Sequence, residues 1–330
     1  MKPVFSISVG DPAGIGPEIV IASLEEATRL GSPVVTGHWP SLRTVIEGRP
    51  ASVEIDLRSE PIAPPPGRVT VVHAGPEGPP ITEPGRSAAE AQIAALEQAL
   101  IAVQQGPCDA LVTAPMNKAL AATVEPMFAG HTEFIARRTG TDPAAVTMVF
   151  IRGELAIGLL ATHVPLAEVP STITTERYER TIDHLIEISN AIGPRRTPRI
   201  AIAALNPHAG EDGRFGTEER EIIEPLCQTI ANRVQAELSG PIPADTVYRD
   251  ALAGRYDAVV AAYHDQALIP LKLGGLGQSV NVTMGLPFVR TSPDHGVAYE
   301  IARSGRADSS GMKLALDIAA RLWKKPLAEV

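Results

Sequence analysis

Glu154-Leu-Ala-Ile-Gly-Leu-Leu-Ala-Thr-His163, Arg199-Ile-Ala-Ile-Ala-Ala-Leu-Asn-Pro-His208 and Asp257-Ala-Val-Val-Ala-Ala-Tyr-His264 are three apolar runs that each close on a histidine. Each reads as a buried strand that delivers an imidazole at its C-terminal end. In an open α/β sheet, ligands gather in the crevice outside the carboxyl ends of the strands, so such residues converge even when far apart in sequence. A single histidine after a strand is ordinarily a capping or hydrogen-bonding residue. Three of them, each beside Pro, Asp, Asn or Thr in a short polar loop, point instead to one divalent metal. His38, His73 and His184 lack that setting and read as structural.

Outward from these runs, apolar segments alternate with helical patterns along almost the whole chain, the signature of a mostly parallel sheet covered by helices. The opening strand, residues 4–9, feeds Gly10-Asp-Pro-Ala-Gly-Ile-Gly-Pro-Glu18 and then a helix, with Pro17 suited to its first turn and Gly31 to its exit. A glycine loop entering a helix can bind an anion. Here the spacing is not Gly-x-Gly-x-x-Gly and the loop begins with an acid. Residues 57–86, rich in Pro and Gly, read as surface loops around a short strand at 69–73. Ser87-Ala-Ala-Glu90 is a capping box that starts a helix of small apolar residues, stopped by Gly106-Pro107.

The strand Asp109 to Ala114 ends at Pro115-Met-Asn-Lys118, which puts a lysine at another strand end. Residues 174–191 and 217–238 read as surface helices, the second bent at Pro225. The last third carries Lys272, Asn281, Arg290, Asp294 and His295 in apolar context, as a site does.

Charge and composition narrow the function classes. The 330 residues, long enough for two domains, carry a formal net charge of -9, with no basic stripe for nucleic acid or an anionic membrane. The N-terminus is too short and interrupted for a signal peptide, and no transmembrane span is read. Two cysteines, Cys108 and Cys227, imply no disulfide framework and fit a reducing cytoplasm.

Imidazoles favour zinc, cobalt, nickel or iron over magnesium. Three protein ligands leave coordination positions open, and an open site is catalytic rather than structural. On an acidic chain, Lys118, Lys272 and Arg290, with Asn281 as an amide donor, suit a phosphate or carboxylate. The residues thus specify an open-metal α/β enzyme acting on a small anion. They leave open a nicotinamide-linked dehydrogenase, a three-histidine zinc hydrolase or lyase, and a non-catalytic metal- or metabolite-binding protein.

An ordered set of motifs then resembles the 4-hydroxythreonine-4-phosphate dehydrogenase family: Gly10 to Glu18, Gly130-His-Thr-Glu133, Thr162-His-Val-Pro-Leu166, Asn206-Pro-His-Ala-Gly-Glu211, Pro243-Ala-Asp-Thr246, Tyr263-His-Asp-Gln266 and Gly285-Leu-Pro-Phe-Val-Arg-Thr-Ser-Pro-Asp-His-Gly296. The resemblance implies the two-domain fold of the isocitrate and isopropylmalate dehydrogenases, with a cleft between α/β/α domains. The expected division is 1–128 plus 275–330 for the first domain, which carries the cofactor loop, and 129–274 for the second, which carries the metal ligands and the dimer contact. It implies a homodimer that completes each active site at the subunit interface.

By the same resemblance His163, His208 and His264 bind one divalent metal (zinc, cobalt or magnesium), one ligand coming from the partner subunit. His131, Thr132, Lys272, Asn281 and Arg290 bind substrate. Asp294, His295 and Gly296 open the loop, running to Ala307, that takes NAD or NADP. Asp245 and Asp265 are candidates for the general base, each also suited to orienting a ligand. The implied reaction is oxidation of 4-phosphooxy-L-threonine at C3 with decarboxylation to 3-amino-2-oxopropyl phosphate, toward pyridoxal 5'-phosphate. A branch acting on phosphorylated four-carbon sugar acids, threonate or erythronate 4-phosphate, shares the motifs. Two positions depart from the pattern: Arg303 stands where glycine is expected in the cofactor loop, and Ala267 where glycine is common after His-Asp-Gln.

Overall fold

A computed structural model describes residues 2–48, 52–194, 196–273, 275 and 277–323. Residues 324–330, which the sequence assigns to the first domain, lie outside the described residues. Twelve strands are seen among the described residues: β1 (Val4–Ser8), β2 (Ser32–Gly37), β3 (Glu54–Arg58), β4 (Arg68–His73), β5 (Ala110–Thr113), β6 (Thr147–Arg152), β7 (Leu155–Leu159), β8 (Arg199–Ala203), β9 (Glu237–Ile242), β10 (Ala258–Ala261), β11 (Val280–Met284) and β12 (Val289–Pro293). The chain divides into two compact units, 1–144 with 286–330, and 145–285. The helix His131–Thr139 belongs with the first.

In the first unit the strand order is β3-β4-β2-β1-β5-β12, every pair parallel. Strands such as Val4–Ser8 are buried along their length because helices pack against the sheet. The helix Arg86–Gln104 buries Ala88, Ala91, Ala95, Ala99 and Ala102. These small side chains let it approach closely enough for the hydroxyls of Ser6 and Thr36 to reach the carbonyls of Ala99 and Ala95, each at 2.9 Å. These two buried strand hydroxyls are thereby satisfied within the protein.

In the second unit the order is β11-β6-β7-β10-β8-β9. The pairs β11/β6 and β6/β7 are antiparallel, the rest parallel. The helix Thr175–Ile192 packs on β7, and the side chain of Thr174 caps its N-terminus through the N–H of Arg177. Because β7, β10 and β8 are neighbours running in one direction, their C-terminal ends lie along one edge of the sheet. That edge receives the three histidine-bearing loops.

Several local expectations are corrected. The capping box at Ser87 does not form: Gly85, in extended conformation, takes the N-cap position, and Glu90 pairs instead with Arg86 at 2.8 Å. The helix expected from Pro17 to Gly31 is two, Gly16–Ile21 and Leu24–Leu30. Between them the hydroxyl of Ser23 bonds to the Ile19 carbonyl at 2.6 Å, a local alternative to continued helix. The helix expected over 217–238 is a wide π-helical turn, Glu219–Ile223, joined to Glu224–Ala231, and its last residues belong to β9. No helix among the described residues is long and apolar enough to cross a membrane.

Candidate active site

The second unit carries the imidazoles. His163 lies four residues beyond β7, and His264 opens the helix His264–Lys272 directly after β10. Since β7 and β10 pair from Ala156/Ala258 to Leu159/Ala261, their loops leave the sheet side by side. The two rings come within 5.8 Å, centroid to centroid, at 41°. With a metal–nitrogen bond of about 2 Å and a ring nitrogen about 1 Å from its centroid, two imidazoles on one tetrahedral ion sit roughly 5 Å apart. The spacing therefore suits a shared ion.

His264 Nδ1 is 2.7 Å from Asp265 Oδ1. A carboxylate only accepts, so Nδ1 is the donor, and in the neutral ring this leaves the Nε2 lone pair for a ligand. Asp265 thus orients an imidazole. Asp245, the other candidate base, is exposed in the first turn of the helix Ala244–Leu252.

His208 follows β8, but its ring faces Phe215, 6.3 Å away. It begins five consecutive residues, His208 to Asp212, with positive φ between 42° and 79°, four of them not glycine. Side chains in that region cost of order 1–3 kcal/mol each and persist where the surroundings impose them, typically at ligand clamps. Among the described residues no three His, Cys, Asp or Glu side chains gather at one point to hold a metal. Around these loops Val164, Leu166, Phe215, Ile269 and Leu273 are exposed, Leu273 by 84 %.

The first unit holds an anion-ready corner. Arg290 on β12 is 2 % exposed and donates from Nη2 to the Thr113 hydroxyl on β5 at 2.7 Å. Burial lowers its pKa to about 10, with Glu133 opposing the shift, so it stays charged at neutral pH. His131 stands at the start of the helix His131–Thr139. Burial, then the charges of Arg290 and Lys118, push its pKa well below the ordinary histidine value. Its Nε2 is buried and has no hydrogen-bond partner among the described residues. Thr132 follows it in the same first turn, whose N–H groups favour an anion. Lys118 joins them: a Cβ on Gly130 would lie 3.5 Å from its Nζ.

Lys272 and Asn281 belong to the second unit. Lys272 is exposed in the last turn of its helix, and Asn281 sits on β11 with its buried Oδ1 without a partner among the described residues. Asp294, His295 and Gly296 follow β12. His295 Nδ1 lies 3.3 Å from the Gly296 carbonyl, while its Nε2 is buried without a partner among the described residues and faces Gly311, at the start of the helix Ser310–Trp323. Orphaned ring nitrogens at His131 and His295, and an orphaned amide oxygen at Asn281, are what a polar ligand would satisfy.

The three histidines read as structural are bonded accordingly: His38 to Ser41 and Pro76, His73 to the Trp39 N–H, His184 to Thr147. Burial raises the thiols of Cys108 and Cys227 to about 12 and about 11, so neither is a ready nucleophile. Sequence reasoning missed Thr113 beneath Arg290, and the pairing of buried Asp11 with half-buried Tyr299, 2.5 Å apart. Only the acid after Gly10, an odd choice for an anion loop, hinted at the second. Gly10 itself is required there, with φ of +70° and a Cβ position only 2.2 Å from the Pro115 carbonyl.

Comparison with known proteins follows the same lines. Residues 29–319 match the family described as "Pyridoxal phosphate biosynthetic protein PdxA". A 4-hydroxythreonine-4-phosphate dehydrogenase of Desulfosudis oleivorans is 38% identical, covering 99% of both chains. A D-threonate 4-phosphate dehydrogenase of Pectobacterium atrosepticum is 37% identical, covering 98% of this chain and 100% of the relative. The crystal structure of a 4-hydroxythreonine-4-phosphate dehydrogenase from Klebsiella pneumoniae superposes with a TM-score of 0.79 at 35% identity, over 98% of this chain and 99% of that one. At the level of the fold alone, a β-decarboxylating dehydrogenase from Thermococcus kodakarensis is similar, with a TM-score of 0.52 at 14% identity over 96% of this chain and 82% of that one.

Proposed function

The chain belongs to the family of the pyridoxal phosphate biosynthetic protein PdxA, and from that membership we propose that this dehydrogenase oxidises the C3 hydroxyl of 4-phosphooxy-L-threonine with NAD or NADP. The β-keto acid so formed loses carbon dioxide and leaves 3-amino-2-oxopropyl phosphate, a precursor for pyridoxal 5'-phosphate. Of the classes open from the residues, the redox one has the support of the relatives' names.

The observation that carries the reading is the buried guanidinium of Arg290 beside a neutral His131, in a chain of net charge -9. Held in place by Thr113 and the charge of Glu133, the guanidinium offers a charge-assisted contact to an arriving phosphate or carboxylate. In this reading Arg290, His131 and Thr132 take anionic oxygens, and Lys272 and Asn281 supply further donors. Asp294, His295 and Gly296 receive the nicotinamide cofactor, with the orphaned His295 Nε2 as a donor or acceptor. His163, His208 and His264 hold the divalent ion, zinc, cobalt or magnesium, one of the three coming from the partner of a homodimer. The exposed Val164, Leu166, Phe215, Ile269 and Leu273 beside these loops support a partner there, since apolar side chains clustered at a surface mark interfaces. When bound, the ion supplies Lewis acidity toward the alcohol and the nicotinamide supplies a hydride acceptor. Asp265 keeps His264 in its ligating tautomer, and Asp245 is the remaining candidate to take the proton. A cytoplasmic location belongs to the same reading.

A second substrate has equal support, because a D-threonate 4-phosphate dehydrogenase resembles the chain as closely. The two acids share C1 carboxylate and C4 phosphate and differ at C2, amino against hydroxyl. The test is NAD(P)H absorbance with each acid, with divalent metal and with chelator. Metal-dependent reduction that favours 4-phosphooxy-threonine in kcat/KM supports the proposal. Preference for the threonate ester reassigns the substrate, and silence with both overturns the reading.

A further inference from the structure

The stretch from Asp294 to Ala307 is tied at five points to the turn Asp11–Glu18, near the other end of the chain. The Ile15 N–H donates to the Val297 carbonyl at 2.9 Å. The Tyr299 hydroxyl donates to Asp11 Oδ2 at 2.5 Å. The carboxylate of Glu18 takes the N–H groups of Arg303 and Gly305 at 2.7 and 3.0 Å, and Arg303 Nη1 donates to the Ala13 carbonyl at 2.9 Å. Gly14 has no room for a side chain here, because a Cβ would lie 2.6 Å from the Val297 carbonyl.

Asp11 and Tyr299 are the tie that reaches deepest into the fold. Asp11 is 0 % exposed, and its second oxygen accepts the Ala13 N–H at 2.9 Å. Asn117 donates to the Tyr299 oxygen at 2.9 Å and is itself fixed by Gln92, which accepts its N–H. The phenol therefore accepts from one side and donates to the other, with no freedom to turn. Burial raises the Asp11 carboxyl and the Tyr299 bond opposes that shift.

The tied segment is also strained. Ala298, next to Tyr299, has φ of +46° and Arg303 has φ of +62°. Non-glycine residues hold such angles only where their surroundings over-determine them. Releasing the phenol frees Ala298 to relax, and the backbone around Val297 with it.

We propose that Asp11, acting through Tyr299, is a positioning residue for the nicotinamide cofactor: it fixes the Asp294–Ala307 segment in its receiving conformation before the cofactor arrives. The proposal rests on reading that segment as the cofactor loop. Fixing the loop in advance removes an ordering cost that binding would otherwise carry.

The test uses the full-length protein with NADH and NADPH as probes, followed by fluorescence without substrate, and hydrogen exchange of the loop amides without cofactor. Tyr299→Phe deletes one hydrogen bond to a charged group, so the dissociation constant should rise about tenfold and exchange over 296–305 should quicken. In turnover the loss should fall on the KM for the cofactor rather than on kcat or the KM for the phosphorylated acid. Asp11→Asn should do the same, and the double variant should be no worse than either single one. Asn117→Ala, which loosens the phenol from its other side, covers the case in which a buried change at Asp11 prevents folding; it should shift the same readouts less. Faster exchange with unchanged cofactor affinity overturns the positioning role while leaving the loop assignment intact. Failure of the wild-type protein to bind either dinucleotide overturns the assignment, and the proposal with it.

Discussion

Around Arg290 the polar groups gather on a guanidinium buried in the sheet, whereas His163 and His208 are themselves exposed. The Arg290 corner is assembled from one unit: guanidinium, Thr113, His131 and Lys118 come from strand ends and helix starts. The imidazole loops are half-built: two rings meet, the third faces Phe215, and apolar side chains beside them stand in solvent. Charge sets the difference. A buried guanidinium is held by its neighbours, here the Thr113 hydroxyl and the charge of Glu133, whereas imidazoles gain little from one another until an ion joins them.

The sharpest way to break this comparison is at His264. Replacing it with Ala should lower metal-dependent turnover by about a thousandfold or more, the scale of Lewis-acid stabilisation by a bound ion. Metal content measured by mass spectrometry should fall in parallel while the circular dichroism spectrum stays native. Full turnover with metal retained would remove the imidazoles from the chemistry and leave the Arg290 corner as the whole site.

Arg290→Met tests the other side. It removes a buried charge at similar volume, so the KM for the phosphorylated acid should rise about a hundredfold, the worth of a good charge-assisted contact. Stability should fall by about 2 kcal/mol, because relief of a desolvated charge is outweighed by stranding the Thr113 hydroxyl and losing the attraction of Glu133. Urea titration beside kinetics checks both. A variant that unfolds while its residual activity keeps a normal KM would make Arg290 a structural residue.

The two regions also differ in how they read from sequence. The histidine loops were legible because strands β7, β8 and β10 are continuous apolar runs with a polar break at their carboxyl ends. The edge strands β3 and β9 are not legible, the start of β9 falling within the helix expected over 217–238, since Glu54–Arg58 and Glu237–Ile242 are half-exposed and lack an apolar run. Arg290 was legible as a cation in apolar context. Its partner Thr113 was not, because they are 177 residues apart and meet only through parallel pairing of β5 with β12. Asp11 and Tyr299, 288 residues apart, left no periodic signal at all.

Protonation sharpens the comparison further. Burial lowers the His184 pKa to about 4, with Arg180 adding to the shift, and His131 is lowered well below its ordinary value by burial, Arg290 and Lys118. A histidine depressed in the folded state binds its proton more readily unfolded, so stability is intact above the ordinary value near 6.5 and falls as pH drops toward the folded value. For His184 that window runs from about 6.5 to about 4 and is worth about 3 kcal/mol. His184→Asn, which can still bond to Thr147, should flatten urea midpoints across it by about that amount. Equal acid sensitivity in variant and wild type would mean that the ring titrates normally. Acetylphosphate or inorganic phosphate should leave the His184 window unchanged while altering any acid limb that comes from the Arg290 corner.

The smallest effect is expected at Arg303, where the sequence departs from the family's glycine. Arg303→Gly relieves a left-handed residue, worth about 1 kcal/mol in favour of the folded state. It also deletes the bond from Nη1 to the Ala13 carbonyl, worth about 1 kcal/mol against it, while the backbone N–H can still reach Glu18. The first two contributions cancel, and glycine further widens the unfolded ensemble, so stability should fall by under about 1 kcal/mol in urea titration. Cofactor affinity should still weaken two- to threefold, because strain relief and tethering act oppositely on stability but in the same direction on loop freedom. A large stability change would show that the tie at Arg303 carries the loop, and that the Asp11 pair is secondary to it.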